Sequence, residues 1–190
     1  MRKSGELVEV VTRNQGRILM REAVERFQSF ECIRARRNKL LSEQDITTKF
    51  VLPMFESLNW SRFKITNKGP EIHEKAFREK GKVQKGLPDI ALKSRNGTVY
   101  VEVKRPPLGR KGTKNLDRYE DADLVALTSF EDLKVYVRHK KDPPTERAHF
   151  KFTEYVDKFD DLWKILSNTK IGKEARAGYK ASRGRIKPKP

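Results

Sequence analysis

The sequence contains a single cysteine, Cys32, in 190 residues. One cysteine cannot form an intramolecular disulfide, and it cannot supply the paired thiolates of a cysteine-based zinc site. The three histidines, His73, His139 and His149, are too scattered along the chain to form a local ligand pair. We therefore exclude a disulfide scaffold and a zinc-finger-type site, and we assign no role to the histidines.

Long apolar runs and nucleotide-binding loops are also missing. No stretch approaches the roughly 18 apolar residues of a membrane span, and residues 1–12 lack the apolar centre of a secretory signal. No GxxxxGK[ST] loop occurs, so the chain carries no ATP-driven motor of that class. We expect a soluble cytoplasmic protein that has no membrane partner.

Positive charge dominates the composition. Lys and Arg number 43 against 26 Asp and Glu, which gives a formal net charge of +17. Such a surplus is typical of proteins that meet phosphate backbones, although anionic membranes attract it too. The hydrophobic fraction of 36% suffices for one core. We expect an N-terminal helical extension at 1–39, one domain at 40–167, and a basic, disordered tail at 168–190.

Three helical regions are predicted before and after the strands. A helix from about 14 to 39 is indicated by apolar residues at helical spacing, which are Leu19, Ala23, Phe27 and Phe30. A second helix should begin at Ser42, because Asp45 follows it three residues later as in a capping pair, and Pro53 should kink or restart it. The last helix is expected within 152–166.

A β-hairpin is predicted in the stretch PDIALKSRNGTVYVEVKR, residues 88–105. Residues 98–104 alternate polar and apolar side chains, which is the period of a strand with one apolar face. The Asn-Gly pair at 96–97 is a strong hairpin signal between apolar runs.

Two further strands are predicted at 124–128 and 133–139, with residues 129–132 as the turn between them. A crossover helix is expected at 114–121, between the hairpin and the first of these strands. A strand, a crossover helix and a second strand make the two strands parallel, so we predict a mixed sheet.

The hairpin groups two carboxylates and a lysine. With Asn96 and Gly97 as the turn, Asp89 faces Lys104; with a four-residue loop, Asp89 faces Glu102. An even change of register preserves the side of the sheet, so both alternatives place Asp89, Glu102 and Lys104 on one face. Two close carboxylates repel each other, and a hard cation such as Mg²⁺ would supply the missing charge. Equally, Lys104 could simply neutralise two acids on a solvated sheet face.

The order of several segments resembles a nuclease family. Pro88-Asp89 followed by Glu102-Val103-Lys104 resembles the PD-(D/E)XK nuclease superfamily. Five segments within about 40–140 are similar to the N-terminal nuclease domain of type I restriction enzyme R subunits and related restriction-modification enzymes; they are LSEQDITTKFVLPMFESLNW, GLPDIAL, VYVEVKR, NLDRY and LVALTSFEDLKVYV. The resemblance implies an α/β, restriction-endonuclease-like core, with a mixed central β-sheet flanked by helices.

The resemblance also implies roles for the matching residues. Asp89, Glu102 and the carbonyl of Val103 would bind the metal, and Glu43 would hold it through water. Lys104 would position the attacking water. From the residues alone, Glu43 is equally a first-turn acid favoured by the helix dipole.

Accessory and DNA-binding residues are implied more weakly. The family often carries a Gln-x-x-x-Tyr motif on the crossover helix; here Asn115 replaces the glutamine and Tyr119 is retained. Asparagine is one methylene shorter, so we treat the pair as an accessory site. Basic residues after the hairpin are expected to follow a phosphate strand; these are Arg105, Arg110, Lys111 and Lys114.

The resemblance implies a Mg²⁺-dependent DNA endonuclease, with Mn²⁺ able to substitute, that acts on double-stranded DNA as the nuclease part of a restriction-modification system. A methyltransferase or motor subunit would then be a separate partner, and a prokaryotic, archaeal or phage gene is expected. One alternative is a Holliday-junction resolvase or repair nuclease of the same fold. Another is a catalytically silent DNA-binding module.

Overall fold

The structure is a computed structural model, and it describes residues 11–37, 41–60, 71–74, 88–94, 97–108, 116, 119, 121–138 and 143–168. Four α-helices lie in these ranges: α1 Arg13–Arg37, α2 Glu43–Ile46, α3 Leu52–Ser57 and α4 Phe159–Leu166. Six strands lie in them as well: β1 Glu71–Glu74, β2 Ile90–Ser94, β3 Gly97–Val103, β4 Leu124–Thr128, β5 Asp132–Val137 and β6 Thr145–Lys151.

The six strands form one open sheet in the order β1-β2-β3-β4-β5-β6. β3 and β4 are parallel, and every other neighbouring pair is antiparallel. The prediction of an α/β fold with a mixed sheet is therefore confirmed. Edge strand β6 was not predicted, because six of its seven residues lie outside the core and leave little apolar periodicity.

The β2–β3 hairpin adopts the second of the two predicted registers. Ile90 pairs with Val101, and the pairing continues to Ser94 and Gly97. The first alternative, with Asn96 and Gly97 as the turn, does not occur, because Gly97 pairs with Ser94 and is the first residue of β3. Its φ of 153° is a backbone conformation that suits glycine and few other residues.

Helix α1 packs into the main hydrophobic core through a stripe that differs from the predicted one. Ala23 and Phe27 are buried as expected, but Leu19 is 38% exposed and Met20 and Val24 are buried instead. The reason is a close helix crossing near the start of α1. A side chain at Gly16 would overlap the carbonyl oxygen of Ser57, and this crossing orients the stripe.

The segment after α1 begins as its sequence predicts. Ser42 Oγ accepts a hydrogen bond from the Asp45 backbone N–H at 3.0 Å, and Asp45 Oδ2 accepts one from the Ser42 N–H at 3.3 Å. A π-helical turn, Thr47–Val51, then separates α2 from α3, so the helix is interrupted just before Pro53. Proline has no N–H to donate to the preceding turn, which accounts for the irregularity.

The two faces of the sheet carry different layers. The four helices pack on one face with the inward side chains of β2 to β6, and this layer is the main hydrophobic core. The other face carries a smaller cluster that includes Tyr100, Val125 and Leu127 together with Leu116 and Tyr119. Most of the predicted crossover helix at 114–121 lies outside the described residues.

The turn between β4 and β5 is held from the helix side. Phe130 is fully buried with a φ of 67°, which is unusual for a bulky residue. Its N–H donates to Thr128 Oγ1 at 2.9 Å, and its carbonyl accepts a hydrogen bond from the Tyr155 hydroxyl at 2.8 Å.

No helix in the described ranges has the length and apolar character needed to cross a membrane.

Candidate active site

The candidate site lies at the end of β3, on the sheet face opposite the main helices. Val99, Val101 and Val103 enter the helix-packed core. Because side chains alternate along a strand, Glu102 points to the opposite face, and Lys104 follows it just past the strand end. The Lys104 N–H donates to the Thr128 carbonyl at 2.8 Å, which extends the parallel pairing of β3 and β4 to this lysine.

Glu102 is a buried carboxylate, with only 4% of its surface exposed. One carboxylate oxygen accepts a short hydrogen bond from the Tyr119 hydroxyl. The other oxygen accepts one from Lys104 Nζ at 3.2 Å. A buried charge is costly unless it is paired and hydrogen-bonded, and both requirements are met here.

Asp89 reaches the same place from the residue that precedes β2. Its Oδ2 accepts a hydrogen bond from the backbone N–H of Val103 at 2.9 Å. The same oxygen lies 3.9 Å from Lys104 Nζ. The β3 backbone therefore orients the Asp89 carboxylate toward Glu102 and Lys104.

Three oxygen atoms of different origin converge on the Lys104 ammonium. They are Glu102 Oε2 at 3.2 Å, the Val103 carbonyl oxygen at 3.1 Å, and Asp89 Oδ2 at 3.9 Å. Two carboxylates and a main-chain carbonyl are hard oxygen donors of the kind that Mg²⁺ and Mn²⁺ prefer. The site thus already holds one cation among three oxygens, and its donor set fits a divalent metal ion.

Tyr119, which donates a hydrogen bond to Glu102, packs against a second tyrosine, Tyr100. The rings of Tyr100 and Tyr119 meet edge to face, with centroids 5.3 Å apart. The Tyr100 hydroxyl donates to Asp121 Oδ2 at 2.5 Å. Burial, followed by this bond to Asp121, raises the pKa of Tyr100 to about 12. Tyr100 and Asp121 were not predicted; the position of Tyr100 two residues before Glu102 on one strand face was the available signal.

Glu43 is not brought to this site by any observed contact. It lies exposed in the first turn of α2. Within the described ranges, no three Asp, Glu, His or Cys side chains form a metal-ligating group, so Asp89 and Glu102 have no third acid beside them there. The water-mediated role of Glu43 stays a prediction, and its first-turn position suits the helix dipole.

The remaining predicted residues divide in two. Tyr119 is buried and bound to Glu102, and Arg105 is exposed directly after Lys104. The others lie outside the described residues; they are Arg110, Lys111, Lys114 and Asn115. The spacing of Glu102-Val103-Lys104, an acid two residues before a lysine, recurs in Asp132-Leu133-Lys134. That sequence lies on β5, where Asp132 Oδ1 is 2.9 Å from His149 Nε2.

Comparison with known proteins reveals no relative of this chain. No protein-family model matches the chain, and neither a curated protein nor a solved structure matches it.

Proposed function

We propose that this chain is a Mg²⁺-dependent DNA endonuclease with a restriction-endonuclease-like active site, and that it is the nuclease part of a restriction-modification system. The single observation that supports this most is the convergence of Asp89 Oδ2, Glu102 Oε2 and the Val103 carbonyl on one cationic group. The formal net charge of +17 supports double-stranded DNA as the substrate.

The metal would be held by Asp89, Glu102 and the Val103 carbonyl, and Mn²⁺ would substitute for Mg²⁺. When bound, it supplies Lewis-acid polarisation and positive charge beside the scissile phosphate. Tyr119 keeps Glu102 in place through its hydroxyl bond. The Val103 N–H does the same for Asp89.

Lys104 acts on the attacking water in this proposal. Its ammonium has three N–H donors, and its side chain is 38% exposed, so it can reach solvent from its present place beside Glu102. Hydrogen bonds from Lys104 would orient a water molecule and a phosphate oxygen for hydrolysis. Exposed Arg105 would contact the adjoining backbone.

One observation favours a second candidate function, a DNA-binding module without catalysis. Lys104 already lies 3.2 Å from Glu102 and 3.9 Å from Asp89, so two acids and one lysine can satisfy each other in the absence of metal. In that case the polar site would be a structural feature of a basic, DNA-binding surface. Metal binding by the purified protein separates the two functions.

The test combines plasmid nicking with calorimetric titration of Mn²⁺. The wild-type chain should nick supercoiled DNA with Mg²⁺ and not with EDTA. Asp89→Asn and Glu102→Gln, which keep the side-chain shapes, should lower the rate by at least about 100-fold, because both residues would hold the metal that stabilises the negative charge of the transition state.

Asp161→Asn is the matched control, because Asp161 is an exposed residue of α4 whose Oδ1 lies 3.4 Å from Lys164 Nζ. It should nick like the wild type. A wild-type rate in Asp89→Asn would refute the assigned site. Duplex binding without Mn²⁺ binding would favour the silent module, and a branched competitor in the nicking assay would reveal a resolvase-like preference.

A further inference from the structure

The sheet face that carries Glu102 continues across β4 and β5 to the edge strand β6. Glu102 pairs with Leu127, Leu127 with Lys134, and Lys134 with His149, so these residues form one row across four strands. Neighbouring strands lie about 4.8 Å apart, which puts Lys134 about 10 Å from Glu102 along the row.

Strand alternation determines which β5 side chains share this face. Leu133, Val135 and Val137 enter the helix-packed core. Asp132, Lys134 and Tyr136 therefore project from the opposite side, which is the side of the candidate site. Lys134 is half-buried. Lys151 of β6 is exposed; it pairs with Asp132 and lies two residues beyond His149 on the same face.

Lys134 and Lys151 are the lysines that β5 and β6 carry on this face. The charge of Glu154, which pairs with Lys158 at 2.5 Å, acts on Lys151 as well. Neither Lys134 nor Lys151 forms a side-chain ion pair with any residue in the described ranges. The acids nearby already have partners. Asp132 Oδ1 lies 2.9 Å from His149 Nε2, and Glu146 Oε2 accepts a hydrogen bond from the Tyr136 hydroxyl at 3.3 Å.

We propose that Lys134 and Lys151 bind the DNA backbone on one side of the scissile phosphate, as a phosphate-contacting surface of β5 and β6 that buried Leu127 separates from the active site. This inference rests on the proposed function, because it takes the scissile phosphate to lie at Asp89 and Glu102. A separation of about 10 Å corresponds to two or three phosphates at roughly 3.4 Å of axis per nucleotide. Lysine is suited to such contacts as a point charge, and contacts of this kind position DNA without reading its sequence.

The test measures duplex binding against salt concentration, by fluorescence anisotropy in EDTA so that no strand is cleaved. The double variant Lys134→Ala/Lys151→Ala should bind more weakly and should lower the slope of log K against log salt by about 2, since each lost phosphate contact removes about one counterion. Lys164→Ala is the control, because Lys164 lies on α4 beyond the opposite face and its side chain is 62% exposed. Its slope should equal that of the wild type.

A charge-conserving variant separates contact from folding. Lys134→Arg/Lys151→Arg should recover most of the salt slope, whereas a misfolded surface would not recover. An unchanged slope in the double alanine variant, with normal duplex binding by the wild type, overturns this surface and leaves the proposed nuclease intact. A reduced slope combined with wild-type cleavage by Asp89→Asn would show that the two lysines contact DNA, but it would refute the assigned active site and with it their place beside the scissile phosphate.

Discussion

The two faces of the sheet differ in the polarity of their side chains. The helix-packed face is almost wholly apolar and joins α1, α3 and α4 to five strands. The opposite face has a small cluster around Tyr100 and Tyr119, and beside it a buried carboxylate, a half-exposed lysine and a half-exposed aspartate. The difference indicates that stability comes mainly from one face, so the other can carry charges at a cost that the fold tolerates.

The largest expected effect is on the helix-packed face. The ring centroid of Phe27 lies 4.8 to 5.2 Å from the ring centroids of three other phenylalanines, which are Phe130, Phe50 and Phe152. Phe27→Ala should lower the free energy of unfolding by about 3 to 5 kcal/mol, through lost burial and the cavity left behind. Denaturant unfolding measures this change.

The control is Leu19→Ala on the same helix, because Leu19 is 38% exposed. It should change the free energy of unfolding by less than about 0.5 kcal/mol. Below its lowered melting temperature, Phe27→Ala should still bind Mn²⁺ as the wild type does. A large loss of Mn²⁺ affinity in the folded variant would show that the two faces are coupled.

A smaller effect is expected when one hydroxyl is removed from each face. Tyr119→Phe deprives buried Glu102 of a hydrogen bond, which should destabilise the fold by about 1 to 3 kcal/mol and weaken Mn²⁺ binding about 10-fold. Tyr155→Phe removes a buried hydroxyl that donates to the Phe130 carbonyl on the helix side. It should destabilise the fold by a similar amount but leave Mn²⁺ affinity unchanged. Calorimetry and denaturant unfolding on both variants make the comparison, and equal losses of Mn²⁺ affinity would contradict it.

Removing the Lys104 ammonium should strengthen metal binding. In Lys104→Met the oxygens of Asp89, Glu102 and Val103 no longer hold an ammonium, so Mn²⁺ should bind about 10-fold more tightly or better while cleavage falls. Calorimetric titration of Mn²⁺ measures the change.

The matched control is Lys49→Met, which removes an ammonium that lies 2.8 Å from half-exposed Asp45 on the helix side. It should bind Mn²⁺ like the wild type. If Lys104→Met bound Mn²⁺ no more tightly than Lys49→Met, Lys104 would not share the oxygens with the metal.

The smallest effect concerns alkaline pH. Burial raises the pKa of Tyr136 to about 12, and the neighbouring Glu146 adds to the shift. The tyrosine ionises near pH 10 in the unfolded chain. The stability linked to its neutral form is therefore complete below pH 10 and is lost as the pH rises toward 12.

Tyr136→Phe should make the free energy of unfolding fall less steeply across this range. Tyrosinate absorbance should show one fewer late-titrating group in the variant. Identical pH profiles for the two proteins would mean that Tyr136 does not ionise late.

The parts of the fold that sequence predicted are those with a local signal. Ser42 and Asp45 satisfy each other within one helical turn, so their capping pair can be read from spacing. Strand β6 and the buried stripe of α1 could not be predicted from spacing. Strand β6 depends on its pairing with β5, and the stripe of α1 depends on the close approach of Ser57 to Gly16. An Asn-Gly pair favours a turn at those two residues, but Gly97 pairs with Ser94 and belongs to strand β3 instead.

For the candidate site, the sequence alone determined that Asp89, Glu102 and Lys104 share one face, since the period of a strand is two and both allowed registers differ by an even step. Tertiary structure decided how these groups are held. Only folding brings the Tyr119 hydroxyl to Glu102 and the Val103 N–H to Asp89, and only strand pairing places Lys134 of β5 and Lys151 of β6 on one face. The physical reason is that parity is a property of one strand, whereas these contacts join segments that the chain separates.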